Sequence, residues 1–305
     1  MFFSKISIKI FKHIPKILVF LFFLIPPLVV LGPFFPDLII SFTVVYTLII
    51  SINDKKKFYF EIFRKDLFIK LYFIFLIYLF FNSIINFLIN NDFLFVDFKN
   101  FFSRTLFLFR FVFYPLSIIY LIQKFNLKFK KKFFLIVIYT ILFVIFDTWV
   151  QYIFGKDLFG YVPSERGSIA LNRLSGPFGD ELIPGSYLMR YFFIAIFMSA
   201  LIFNKIYNKY LFSFFFALCL STILVTGERA AFILAAFGIF LTFFLMKHYR
   251  KNIIISLLIL FILSFFILLE NPKLKSRVID YTFFQLGITK DLDNNKNNFK
   301  FNLKK

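Results

Sequence analysis

Residues Phe146 to Arg190 read FDTWVQYIFGKDLFGYVPSERGSIALNRLSGPFGDELIPGSYLMR. A long apolar run ends here in Asp147, Trp149 and Gln151, gives way to glycine, proline and both charge signs, and resumes after Pro184. A second and much shorter polar stretch, Thr226-Gly227-Glu228-Arg229, parts two later apolar runs. Apolar runs of helix length broken by short polar islands specify an all-α, polytopic transmembrane helix bundle. The two islands are expected to meet on one side of the membrane and to form the working site.

Composition points the same way. Of 305 residues, 60% are hydrophobic and 24% aromatic, and the mean hydropathy is +0.83, more apolar surface than a soluble domain of this length can hide. The 56 Phe residues accompany enriched Ile, Asn and Lys. That is the codon signature of an AT-rich genome, and Phe content carries no functional weight. The net charge of +20 is not gathered in one patch. It falls in short loops between apolar runs, as the positive-inside rule expects, so it faces anionic membrane lipid rather than nucleic acid. Cys219, the single cysteine, sits inside an apolar run, which excludes an intrachain disulfide and a thiolate metal site. His13 and His248 stand beside lysines at expected cytoplasmic ends, and neither is expected to hold zinc or to catalyse.

Taken in order, the chain reads as about nine spans with a cytoplasmic N-terminus. Ser4 to Lys16 is basic and Ile17 to Leu31 apolar; without a small-residue cleavage site, and with Pro26-Pro27 interrupting the run, this is an uncleaved anchor. A turn over Gly32 to Pro36 leads to a second span, Asp37 to Ile52. Lys55, Lys56, Lys57, Arg64 and Lys65 then mark the cytoplasm. A third span, Leu67 to Ile89, exits to a segment holding Asp92 and Asp97, and a fourth runs from Arg104 to Gln123. Lys124, Lys128 and Lys130 to Lys132 return to the cytoplasm. A fifth span, Phe133 to Phe154, delivers Asp147 and Gln151 to the outer face. The remaining spans are Pro184 to Phe203, Tyr210 to Val225, Ala230 to Met246 and Asn252 to Leu269. Residues 1–269 thus form one transmembrane helical domain with an extracytoplasmic loop at 155–183. The polar tail, 270–305, is placed in the periplasm, where its lysines are out of keeping with the charge rule. It reads as the start of a truncated outer loop.

Pro184 suits the first turn of the sixth helix, and Asp180 and Glu181 lie just before it, where carboxylates favour the positive helix end. Gly176, Pro177 and Gly179 make a tight approach. Thr226 reads as N-cap of the eighth helix, with Glu228 and Arg229 in its first turn. Two helix N-termini would then face one side, each with an arginine, Arg173 and Arg229. Free N–H groups, the helix dipole and bidentate guanidinium together bind phosphate or pyrophosphate. The plainer reading is that these arginines snorkel, or pair with Asp180 and Glu228. Arg166 and Arg190 read as loop and interface charges. Asp147 and Gln151 share a helical face and either line a polar cleft or are helix-end polarity. No phosphate-binding loop, metalloprotease helix, nucleophile elbow or dinucleotide fingerprint is present.

Arg173-Leu-Ser-Gly-Pro-Phe-Gly-Asp-Glu entering one span, followed by Thr226-Gly-Glu-Arg-Ala-Ala-Phe entering another, resembles the O-antigen ligase/polymerase family of bacterial inner-membrane proteins. The resemblance covers about Phe146 to Leu245. It implies a glycosyltransferase without metal or nucleotide cofactor, moving a glycan from undecaprenyl pyrophosphate to a lipid A core sugar or a growing polysaccharide at the periplasmic face. By that resemblance Arg173 and Arg229 would neutralise the leaving pyrophosphate, with Asp180, Gly176, Gly179, Asp147 and Gln151 around the substrate. Family ligases carry a large outer loop with a functional histidine, which this sequence lacks. Either Glu181 or Glu228 then serves as base, or the chain is a fragment. Two other readings are a lipid-linked glycan transporter, for which Pro26-Pro27 and Pro115 are the only broken-helix signs, and a non-catalytic membrane subunit.

Overall fold

A computed structural model describes residues 2–53, 61, 64, 66–89, 107–125, 130–164, 173–202, 209–276 and 278. Lys55 to Lys57, Lys65, Asp92, Asp97, Arg104, Lys128, Arg166, Arg277 and the tail beyond residue 278 lie outside them, as do the side chains of His13 and His248.

Every regular element among the described residues is helical. The chain divides into two compact units, Met1–Phe129 and Lys130–Lys305. In the first are α1 (Phe2–Val30), α2 (Phe34–Asn53), α3 (Leu67–Ile89) and α4 (Arg110–Phe125). In the second are α5 (Lys130–Phe154), α6 (Pro184–Ile202), α7 (Lys209–Val225), α8 (Arg229–Leu245) and α9 (Arg250–Glu270), with short turns of 3₁₀ helix at Gly176–Phe178 and Lys247–Tyr249. A helix therefore lies on each apolar run read from the sequence. Four contain stretches long and apolar enough to cross a membrane, Phe34–Ser51, Leu67–Ile85, Lys131–Phe154 and Arg250–Glu270; the apolar helices Ile14–Val30, Phe212–Val225 and Arg229–Leu245 are shorter.

The surface carries the same message. Along α9, Leu258, Phe261, Ile262, Phe265 and Phe266 are all exposed, forming a continuous apolar face that a water-soluble monomer does not present. This is the construction of a helical membrane protein, with lipid as the solvent for that face.

In the first unit α2 packs on α4. Asp37, in the first turn of α2, pairs with Arg110 at 2.8 Å, and the hydroxyls of Thr47 and Ser117 hydrogen-bond at 2.6 Å. Val112 and Leu116 of α4 bury against Ile69 and Leu76 of α3. Two sequence expectations are corrected here. Pro26 and Pro27 lie inside one continuous α1 rather than interrupting it, as membrane helices allow when neighbours and local adjustment satisfy the freed carbonyls. Pro36 belongs to the first turn of α2 and not to the preceding turn, where its missing N–H costs nothing.

In the second unit α7 is the central helix. In its second half every residue from Cys219 through Val225 is buried, the mark of a helical stretch surrounded by protein. Trp149 of α5 reaches across to it, its indole N–H donating to Thr222 Oγ1 at 2.9 Å. Gly238 lets α8 lie against α6, since a methyl group there would collide with the Phe193 ring.

Candidate functional site

The first polar island is built from the end of α5. Asp147, Thr148 and Gln151 are fully buried. Asp147 and Gln151 hold backbone that follows, whereas Thr148 donates back to Val144 O in its own helix at 2.7 Å. Asp147 Oδ2 has no hydrogen-bond partner. Gln151 accepts from the Ser175 and Gly176 N–H groups at 3.0 and 2.8 Å through Oε1. Its Nε2 donates to Tyr161 O and Ser175 Oγ, both at 3.2 Å. Asp147 accepts from Leu158 N–H at 2.9 Å. Asp157 accepts from Phe159 and Tyr161 N–H at 3.0 and 2.6 Å. An irregular segment at this depth must satisfy its backbone groups internally, and these side chains do so. Gly176 is required twice over: its φ is +51°, and a Cβ would stand 2.6 Å from Thr148 Oγ1. Gly179, with φ of +63°, lies under the Tyr161 ring.

The second island emerges from the buried end of α7. Gly227, with φ of +71°, turns the chain, and α8 begins at Arg229 with Glu228 as its N-cap residue. Thr226 does not cap α8. Its hydroxyl donates to Ile223 O at 2.7 Å and accepts from Glu228 N–H at 3.4 Å, so it closes α7 instead.

The two islands meet through Glu228. Its Oε1 accepts from Gly185 N–H at 2.8 Å; its Oε2 accepts from Ser186 N–H at 3.0 Å and from the Ser186 hydroxyl at 2.6 Å. One carboxylate thus caps the N-terminus of α6 from a helix 43 residues away in sequence, satisfying donors that a helix start leaves open. Gly185 makes room for this approach, because a Cβ would come within 2.6 Å of Thr226 Oγ1 and 3.1 Å of the Glu228 side chain. Arg173 completes the junction. Its Nη2 donates to Leu182 O at 2.7 Å and lies 3.7 Å from Glu228 Oε1. Its Nε has no hydrogen-bond partner, and the side chain is 23% exposed.

The structure therefore brings Arg173 and Glu228 together at the starts of α6 and α8, with part-exposed Arg229 as the first residue of α8. Asp180 and Glu181 are exposed, and the carboxylate on the α6 N-terminus is Glu228 rather than either of them. The 3₁₀ turn and Pro184 place Asp180 and Glu181 before the helix, whereas Gly227 swings Glu228 onto it. Gln151 holds the Ser175-Gly176 turn that follows Arg173, Asp147 holds Leu158, and Arg190 is exposed. Gly185 and Ser186 were not singled out from the sequence. The available signal was a pair of small residues directly after Pro184, at a helix start that another polar turn could approach.

No family model, characterised protein or solved structure matches the chain. The arrangement gathers two helix starts and a guanidinium, groups that favour an anion; at the start of α6 that anion is the Glu228 carboxylate itself.

Proposed function

We propose that this is a nine-span bacterial inner-membrane protein, N-terminus cytoplasmic, and that the junction of Arg173, Glu228 and Arg229 on its periplasmic face binds the pyrophosphate of a lipid-linked glycan and transfers that glycan to an acceptor hydroxyl. The observation that carries the reading is the incompletely used guanidinium of Arg173, whose Nε lacks a partner, close to Glu228 and the start of α8. In the reaction the acceptor oxygen bonds to the anomeric carbon and the bond from that carbon to the pyrophosphate oxygen breaks. The lipid pyrophosphate leaves with the electron pair. Arg173 and Arg229 stabilise the charge that develops there, where fixed donors act most strongly.

The acceptor proton needs a base. Both Glu228 oxygens are engaged by three donors, so Glu181, exposed beside the junction, is the carboxylate assigned to it. The lipid A core or growing-polysaccharide acceptor follows from the motif resemblance alone. The test is glycan transfer from a lipid-pyrophosphate donor by purified protein in lipid vesicles. Arg173→Lys retains charge but not bidentate geometry and is expected to lose at least a hundredfold in rate, comparable to removing one oxyanion donor, with helicity unchanged. Transfer at the wild-type rate would remove Arg173 from the mechanism, and no transfer by the wild-type chain would favour the non-catalytic subunit.

A further inference from the structure

A second candidate site has its charged end at the far end of α8 from the polar junction. Between α8 and α9, floored by Leu220 of α7, runs a groove of about 510 Å³ whose lining residues are all apolar; Ala236, Phe240 and Phe244 form one wall, and Ile254 and Leu257 the other. It ends at the basic turn joining the two helices. There Arg250 donates from Nε to Phe243 O at 2.9 Å and from Nη2 to Phe244 O at 3.3 Å, which fixes the turn to the last carbonyls of α8. Lys247 and Lys251 are exposed on either side. Lys251 is three residues before Ile254, so the two share a face of α9, and the charge stands at the mouth of the apolar groove. Because α8 is 17 residues long, this turn lies roughly 25 Å from Glu228. The groove itself runs along α8 from Phe232 to this turn, so its basic end is the end remote from the junction.

We propose that this groove and its basic turn form a binding site for an anionic phospholipid, one acyl chain lying along Phe240 and Leu257 with the headgroup phosphate on Lys247 and Lys251. The apolar lining selects a hydrocarbon chain, and the cations select a negative headgroup over a zwitterionic one. The site rests on the membrane reading alone and is independent of the glycan chemistry.

The test uses the purified, delipidated full chain in detergent, titrated with phosphatidylglycerol or with phosphatidylcholine of the same acyl chains, and bound lipid counted by native mass spectrometry. One phosphatidylglycerol per chain is expected to bind at least tenfold more tightly than phosphatidylcholine. Lys247→Gln with Lys251→Gln brings the two to parity, each lysine contributing roughly fivefold. Ala236→Trp, at an exposed position that fills the groove, weakens both. Equal binding of the two lipids to the wild-type chain overturns the proposal, and this comparison decides even where a variant is lost. Unchanged phosphatidylglycerol binding in the double lysine variant, or in Ala236→Trp, overturns it as well.

Discussion

Glu228→Ala is expected to destabilise the second unit by about 3–5 kcal/mol, the range seen when one member of a buried charged pair is removed. The carboxylate is nearly enclosed, accepts three hydrogen bonds at the start of α6 and lies beside Arg173. Its loss leaves two backbone N–H groups and a hydroxyl without their acceptor, and Arg173 without its counter-charge. Hydrogen bonds to an ionised group are worth more than neutral ones, roughly 1.5–3 kcal/mol each, though the three are not additive. Glu228→Gln keeps one acceptor oxygen and should cost less than half as much. Thermal unfolding in mild detergent measures both. An alanine variant within about 0.5 kcal/mol of wild type, the range of an ordinary surface change, would mean that Glu228 does not cap α6.

Gln151→Leu should be nearly as severe and differently located. The substitution keeps the bulk of the side chain but removes the acceptor for the Ser175 and Gly176 N–H groups. Each buried donor left unsatisfied costs roughly 1–3 kcal/mol. The expected outcome is release of the island that carries Arg173, read as at least a tenfold faster proteolytic cut within residues 155–183, while α5 itself stays helical. Unchanged protease resistance would show that the turn at Gly176 is held by other contacts.

The helices were legible because the hydropathy changes abruptly at their ends. Pro184 opens α6 where read, and α7 and α8 begin and end within a residue of expectation. The prolines of α1 were over-weighted, since rules for soluble helices penalise an internal proline more than a membrane helix does. Within the site, residue types were legible but partners were not. Asp180 and Glu181 looked like the acids for α6 because they are near in sequence; the actual cap, Glu228, comes from 42 residues beyond Ser186, a separation no local pattern encodes. Gln151 and Asp147 were placed on one helical face by their spacing, yet nothing in that spacing tells a substrate contact from a backbone support. Thr226 has the composition of an N-cap, but the left-handed Gly227 moves the start of α8 past it.

The central claim is that both polar islands form one site on the periplasmic side. Cysteine labelling tests it most directly, in a Cys219→Ser background that removes the one buried thiol. Glu181→Cys and Ala230→Cys, both at exposed positions of the two islands, and Lys251→Cys, exposed at the basic turn, would be treated in intact spheroplasts with a membrane-impermeant maleimide. The account predicts that positions 181 and 230 react at once and that position 251 reacts only after permeabilisation. Reaction of 181 and 230 from opposite sides, or of both only after permeabilisation, would contradict it.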